Sequence, residues 1–158
     1  MPSVVDTNVL CVADRLSRQA DEACIASCVS ALQAMQTTIV VVDDAGRIVK
    51  EYSNNVRTVG QPGVGGRFLL WLWQNIANVQ VCATVPITPR LGGGEDYEEF
   101  PTDSDLAGFD PSDKKFAAVA RAHGSAVVLN AVDSDWRQFE APLARNGIAV
   151  EFLCPQHV

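Results

Sequence analysis

Five carboxylates in this chain could do chemistry if the fold brought them together. Asp6 closes the short run SVVD, and Asp133 and Asp135 follow an apolar run in VLNAVDSDW. Glu51 lies in IVKEY, and Asp113 lies in DPSDKKFAAVA. Carboxylates gathered at one place repel, and each raises its neighbours' pKa unless a cation sits among them. Hard oxygen ligands of this kind suit Mg2+ or Mn2+. Such an ion can hold a phosphoryl oxygen and lower the pKa of a bound water, so the chemistry implied is hydrolysis of a phosphate ester or diester. His123 and His157 lie outside every one of these stretches, which argues against histidine-based catalysis. The glycine-rich GQPGVGG (60–66) lacks the Gly-Lys-Ser or Gly-Lys-Thr of a phosphate loop. It reads as a flexible connector, flanked by Arg57 and Arg67, which could touch phosphates of a substrate strand.

The elements that must position these acids alternate between strand and helix. SVVD (3–6) reads as a first strand, and TTIVVVD (37–43) as a strand buried on both faces. VQVCATV (79–85), SAVVLNA (125–131) and IAVEFL (148–153) read as three more. Helical stretches fall between them. DEACIASCVSALQAM has acids at its start, where the helix dipole favours them. AGRIVKEYSNNV is expected to be capped by Asp44, with Arg47 and Glu51 sharing a face. DPSDKKFAAVARAHG has Asp110 as its cap and Pro111 at the first helical position. In DSDWRQFEAPLARNG one of Asp133 and Asp135 must cap, Asp135 being the residue that mixes a structural with a metal role, and Pro142 can bend the helix. The alternation predicts an α/β fold with a mainly parallel sheet of about five strands. Sites in such folds lie at the carboxyl ends of the strands, where strand order reverses. Asp6 and Asp133 each follow a strand, so the two ends of the chain can meet there.

In this order VVDTNVL, DKKFAAVA and VLNAVDSDW resemble the three acidic motifs of PIN-domain nucleases, from Val4 to about Leu153. The resemblance implies a three-layer α/β/α sandwich forming a single PIN-like domain over residues 1–158. It also implies a Mg2+- or Mn2+-dependent ribonuclease acting on single-stranded RNA. Asp6, Asp113 and Asp133 match the family's acids, Asp135 matches a weaker second acid, and all four are expected on the metal. Glu51 matches an acid on the helix after the second strand, chosen over Asp43 and Asp44, and joins Asp6, Asp113 and Asp133 as a catalytic residue. Asn8 is expected to hold Asp6 or a metal-bound water, and with Arg57 and Arg67 to meet substrate. Many similar proteins are toxins of toxin–antitoxin pairs, which implies an antitoxin or other inhibitor protein as partner. A homodimer is expected, the scattered cysteines suit a cytoplasmic location, and no apolar run approaches the roughly 20 residues needed to cross a membrane. A PIN-fold scaffold that binds RNA or protein without turnover is the alternative. Ala131 departs from the family, which often carries Thr or Ser there. A receiver-type phosphate-transfer fold would need its acidic strand first, and a haloacid-dehalogenase-type phosphatase would need an acid where Asn8 stands.

Composition sets bounds on these readings. With 158 residues, 47% of them hydrophobic, the chain can bury one core. The five cysteines are scattered and form no CxxC, so they read as small core residues of a reducing compartment, without zinc site or disulfide framework. The formal net charge of −7 resides in residues 85–113, where eight acids face only Arg90, and the remainder is neutral. Residues 86–109, rich in Pro, Gly and acids, read as a long mobile loop. Its 90–107 stretch is expected to restrain RNA access by repelling phosphates.

Overall fold

The computed structural model describes residues 1–158. Five strands, β1 (Ser3–Val5), β2 (Val40–Asp43), β3 (Cys82–Val85), β4 (Val127–Asn130) and β5 (Ala149–Phe152), form one sheet. All pairings are parallel, in the order β3-β2-β1-β4-β5. β1 and β2 are buried on both faces, whereas edge strand β5 alternates between exposed and half-buried positions. That difference is why the central strands are continuous valine runs and β5 reads AVEF.

Seven helices connect the strands: α1 (Thr7–Ala13), α2 (Glu22–Ala34), α3 (Arg47–Asn55), α4 (Val64–Asn75), α5 (Lys114–His123), α6 (Ser134–Gln138) and α7 (Glu140–Arg145). Parallel strands need right-handed crossovers. The first two crossovers therefore place α1–α4 on one face, where α1, α2 and α4 pack together. The chain then returns past β1, so α5–α7 cover the other face, and the result is an α/β/α sandwich. Strand order reverses between β1 and β4, and their carboxyl ends open the crevice that holds the acids.

Local chemistry differs from expectation in four places. First, Asp43, not Asp44, caps α3. As the last residue of β2 its buried carboxylate accepts from the backbone N–H groups of Ala45, Arg47 and Ile48 at 3.2, 3.0 and 2.9 Å, while Asp44 is exposed. Second, the final helical stretch breaks at Phe139 into α6 and α7, because Pro142 has no N–H for the Gln138 carbonyl.

Third, the glycine-rich connector is close-packed where it enters α4. Gly65 and Gly66 donate their backbone N–H groups to the Asp14 carboxylate at 2.6 and 3.1 Å. A Cβ on Gly66 would lie 1.9 Å from the Arg57 carbonyl oxygen, and one on Gly65 would lie 2.5 Å from that of Leu10. Glycine is needed here for close approach of backbones.

Fourth, the acidic segment is ordered. Ile87, Tyr97, Phe100, Leu106 and Phe109 are buried in the common core, and Phe109 meets Trp136 edge-on at 5.1 Å. Arg90 spans the base of the loop, donating to the carbonyls of Tyr97 and Phe100, each at 3.0 Å. Arg145 grips Asp103 at 2.7 Å, which holds that carboxyl well below the ordinary range. The apolar anchors sit singly among acids, without a period, yet together they cost too much to expose.

Cys24 on α2 and Cys154 after β5 form a disulfide. Cys24 is therefore not the reduced core thiol expected of it. Cys11, Cys28 and Cys82 remain free. A bridge of this kind persists in oxidising surroundings. No helix is long and apolar enough to cross a membrane.

Candidate metal centre

Three acids arrive at the crevice from three elements. Asp6 ends β1 and caps α1, its Oδ1 accepting from the Asn8 backbone N–H at 3.0 Å. Its Oδ2 accepts from the indole N–H of Trp136 at 2.6 Å, so the far end of the chain grips the first acid. Asp133 caps α6 by accepting from the Asp135 backbone N–H at 2.9 Å. Of the two candidates the cap is thus Asp133, whose backbone is still extended where the chain enters α6. Asp113 closes the 3-10 turn Pro111–Asp113, which Asp110 caps as expected. Each of Asp6, Asp113 and Asp133 offers one oxygen, and these oxygens lie within 4.8 Å of one another. Asp135 joins Asp110 and Asp113 in a second group of the same tightness.

Asn8 holds Asp6 through its backbone N–H, while its side chain serves a second contact. Its side-chain N–H donates to Asn130 Oδ1 at 2.8 Å, and its Oδ1 accepts from the Ala131 backbone N–H at 2.8 Å. Asn130 in turn donates to the Asp133 carbonyl at 2.9 Å. Asn8 therefore clasps the loops after β1 and β4, and Ala131 contributes a backbone N–H to the clasp.

Glu51 stands beside the three acids. Thr7 Oγ1 donates to it at 3.0 Å, and Lys115 forms an ion pair with it. Arg47, which shares a helix face with Glu51, turns instead to buried Asp43 at 3.3 Å. Lys115 is 5% exposed and was not singled out in the sequence, where it is hidden as one of two lysines before FAAVA. Its only signal is that a charged residue sits within the buried run of α5. Trp136, read as an aromatic behind two acids, carried no sign that its N–H would reach Asp6. Arg57 and Arg67 do not line the cleft over the acids: Arg57 is exposed, and Arg67 borders a separate depression with Leu32, Gln36 and Phe68.

The electrostatics follow from burial. Burial pushes the Asp6 carboxyl up to about 7, against the lowering effect of the Asn8 N–H and the Trp136 indole, and Asp133 and Glu51 add to the rise. Burial pushes Asp113 up to about 9, helped by Asp6 and Asp133. Asp113 Oδ2 is buried and has no hydrogen-bond partner. An orphaned carboxylate oxygen facing two other carboxylates fits a hard divalent cation, which would remove both the repulsion and the missing partner.

The pH dependence has a definite sign. Both carboxyls hold their protons above the ordinary value of 3.8, up to about 7 and about 9. Across that window the folded chain binds more protons than the unfolded one, so stability falls as pH rises. Each pKa unit is worth about 1.4 kcal/mol. Thermal melts in EDTA are expected to drop by several degrees between pH 5 and pH 8.5, and added Mn2+ should restore most of that loss at the alkaline end. A melting temperature flat across this range would contradict the buried carboxyl cluster.

Comparison of the chain with protein-family models, curated proteins and solved structures finds no match. The functional reading therefore stands on the geometry and on the residues themselves.

Proposed function

We propose that the chain is a Mg2+- or Mn2+-dependent endoribonuclease of PIN-like type, cutting phosphodiester bonds of single-stranded RNA. The observation that carries this reading is the meeting of Asp6, Asp113 and Asp133 within 4.8 Å at the reversal of strand order, with an oxygen of Asp113 left without a partner. These three acids would hold the cation, and Asp135 with Asp110 offers further oxygens next to it. When bound, the ion would polarise a phosphoryl oxygen and lower the pKa of a water.

The chain's own groups do the positioning. The Trp136 indole and the Asn8 amide fix the Asp6 carboxylate, and the Asn8–Asn130 clasp fixes the loop that carries Asp133. Thr7 and Lys115 hold Glu51 at the wall of the cleft. An inhibitor protein, a homodimer and a cytoplasmic location belong to the same proposal.

The test is incubation with an end-labelled single-stranded RNA of about 20 nucleotides, in Mn2+ and in EDTA, beside a DNA of the same sequence. Cleavage of the RNA in Mn2+ alone supports the reading. Cation binding without cleavage would move the protein to the non-catalytic alternative, and cleavage of DNA alone would change the substrate.

A further inference from the structure

Two clefts meet at Glu51 and Asn55. The first, about 480 Å3, runs over Asp6 and Asp133 and ends near Arg18. The second, about 570 Å3, is lined by Arg47, Lys50, Asn54 and Lys115. Each is large enough for a nucleotide-sized ligand. Helix α3 builds the shared wall. Arg47, Lys50, Glu51, Asn54 and Asn55 follow the spacing of one helical face, so a single stripe of side chains looks into both clefts.

The two clefts have opposite character. The first holds three carboxylates against Arg18, and the second holds three cationic side chains against Glu51 and Glu95. Lys115 is spent on Glu51. Lys50 is exposed and enters no ion pair, and Arg47 leaves most of its fork unused beyond one long contact to Asp43 at 3.3 Å. The guanidinium is steadied over the Tyr97 ring, 5.5 Å from its centroid. In a protein of net charge −7, bases outnumber acids here, directly beside the acid group.

We infer that Arg47 and Lys50 form a phosphate-binding subsite that takes the RNA backbone next to the phosphate held at the acid group. The inference rests on the nuclease reading above. One residue of nine in this cleft is hydrophobic, so it suits phosphate and ribose and offers little for stacking bases. The subsite therefore binds the strand with little regard to sequence. Glu95, at the exposed tip of the acidic segment, competes with phosphate for the same two cations. The restraint expected of the whole segment thus narrows to this one carboxylate, because Arg90 ties the loop to itself and Arg145 holds Asp103 against the body.

The experiment is fluorescence anisotropy of a labelled 12-nucleotide single-stranded RNA in Ca2+, between 50 and 300 mM KCl, with wild type, Lys50→Ala, Glu95→Gln and, as a control that lines neither cleft, Arg121→Ala. Lys50 makes no internal contact whose loss would unfold the chain. Lys50→Ala should weaken binding about 3- to 10-fold at the lowest salt and reduce the slope of log K against log salt by about 0.7, the value for one lost contact to a single strand. Glu95→Gln should tighten binding about 2- to 5-fold at low salt, with the difference shrinking as salt rises. Arg121→Ala should match wild type. Wild-type slope and affinity in Lys50→Ala would overturn the subsite while leaving the nuclease reading intact. An equal loss in Arg121→Ala would reduce the effect to overall charge and also overturn it. No RNA binding by wild type at any salt would overturn the nuclease reading itself.

Discussion

Replacing Asp113 by asparagine is expected to weaken Mn2+ binding by at least about 100-fold, and RNA hydrolysis with it, while leaving the cation-free fold at least as stable as wild type at pH 8. Loss of a group that merely supports a metal ligand typically costs 10–100-fold in affinity, so loss of a ligand should cost no less. The stability half of the prediction comes from burial. With its carboxyl pushed up to about 9, Asp113 is neutral at pH 8 without a cation, and asparagine is close to the protonated acid in shape. Its free Oδ2 has no partner to lose. Asp6 is a less suitable target: an amide there would turn one N–H against either the Trp136 indole or the Asn8 N–H, leaving buried donors unmatched at about 1–3 kcal/mol. Calorimetric titration with Mn2+ and melts in EDTA read both halves. An Asp113→Asn protein that binds Mn2+ as tightly as wild type would remove Asp113 from the centre.

Opening the Cys24–Cys154 bridge is expected to lower the melting temperature by about 10–20 °C. The bridge joins residues 130 apart in sequence. In the chain-entropy account, closing a loop of that length stabilises a fold by roughly 5 kcal/mol. For a domain of this size each kcal/mol moves the melting temperature by about 2–4 °C. The comparison is between melts with and without reductant, with Cys154→Ala as the covalent control that should melt like the reduced protein. Cys28 lies close to both bridged sulfurs, but burial pushes its thiol up to about 12, which makes it a poor attacking group. Cys28→Ala should therefore leave the bridge intact and the effect of reductant unchanged. Equal melting temperatures with and without reductant would show that the bridge contributes nothing. Alkylation of cysteines in freshly lysed cells would then tell whether the bridge exists where the protein works, a point on which the reduced cytoplasm expected from scattered cysteines and the observed disulfide disagree.

All five strands were legible because each is a short apolar run ended by a change of residue type. The meeting of Asp6 with Asp133 was legible because strand order and the carboxyl-end rule are properties of the chain's pattern. What escaped the sequence shares one cause: it depends on which side chain touches which across long separations. Cys24 and Cys154, or Asp6 and Trp136, carry no local mark of their partner. Lys115 was hidden because a lysine beside an acid reads as a solvated face, whereas here α5 turns it inward to Glu51. The acidic segment was misjudged because charge dominated its composition, although five buried apolar residues decide its state. Gly63, Gly65 and Gly66 were taken for freedom when they serve close contact, a distinction visible only once Asp14, Leu10 and Arg57 are known to lie against them, whereas Gly60, at φ +72° in open space, is the turn glycine expected.

The central strand of the sheet is also its earliest segment, and this bears on how the protein is made. β1 pairs in register with β4, so Val5 lies opposite Leu129. Pairing at such separation makes folding slow and leaves it waiting for late parts of the chain. During translation Asp6 emerges early but has no indole to hold it and no second or third carboxylate to share a cation until the segment through Trp136 has left the ribosome. An unfinished chain therefore cannot assemble the acid group. If the group is what cuts RNA, its chemistry is withheld from the message and ribosome that are producing it until that segment has emerged.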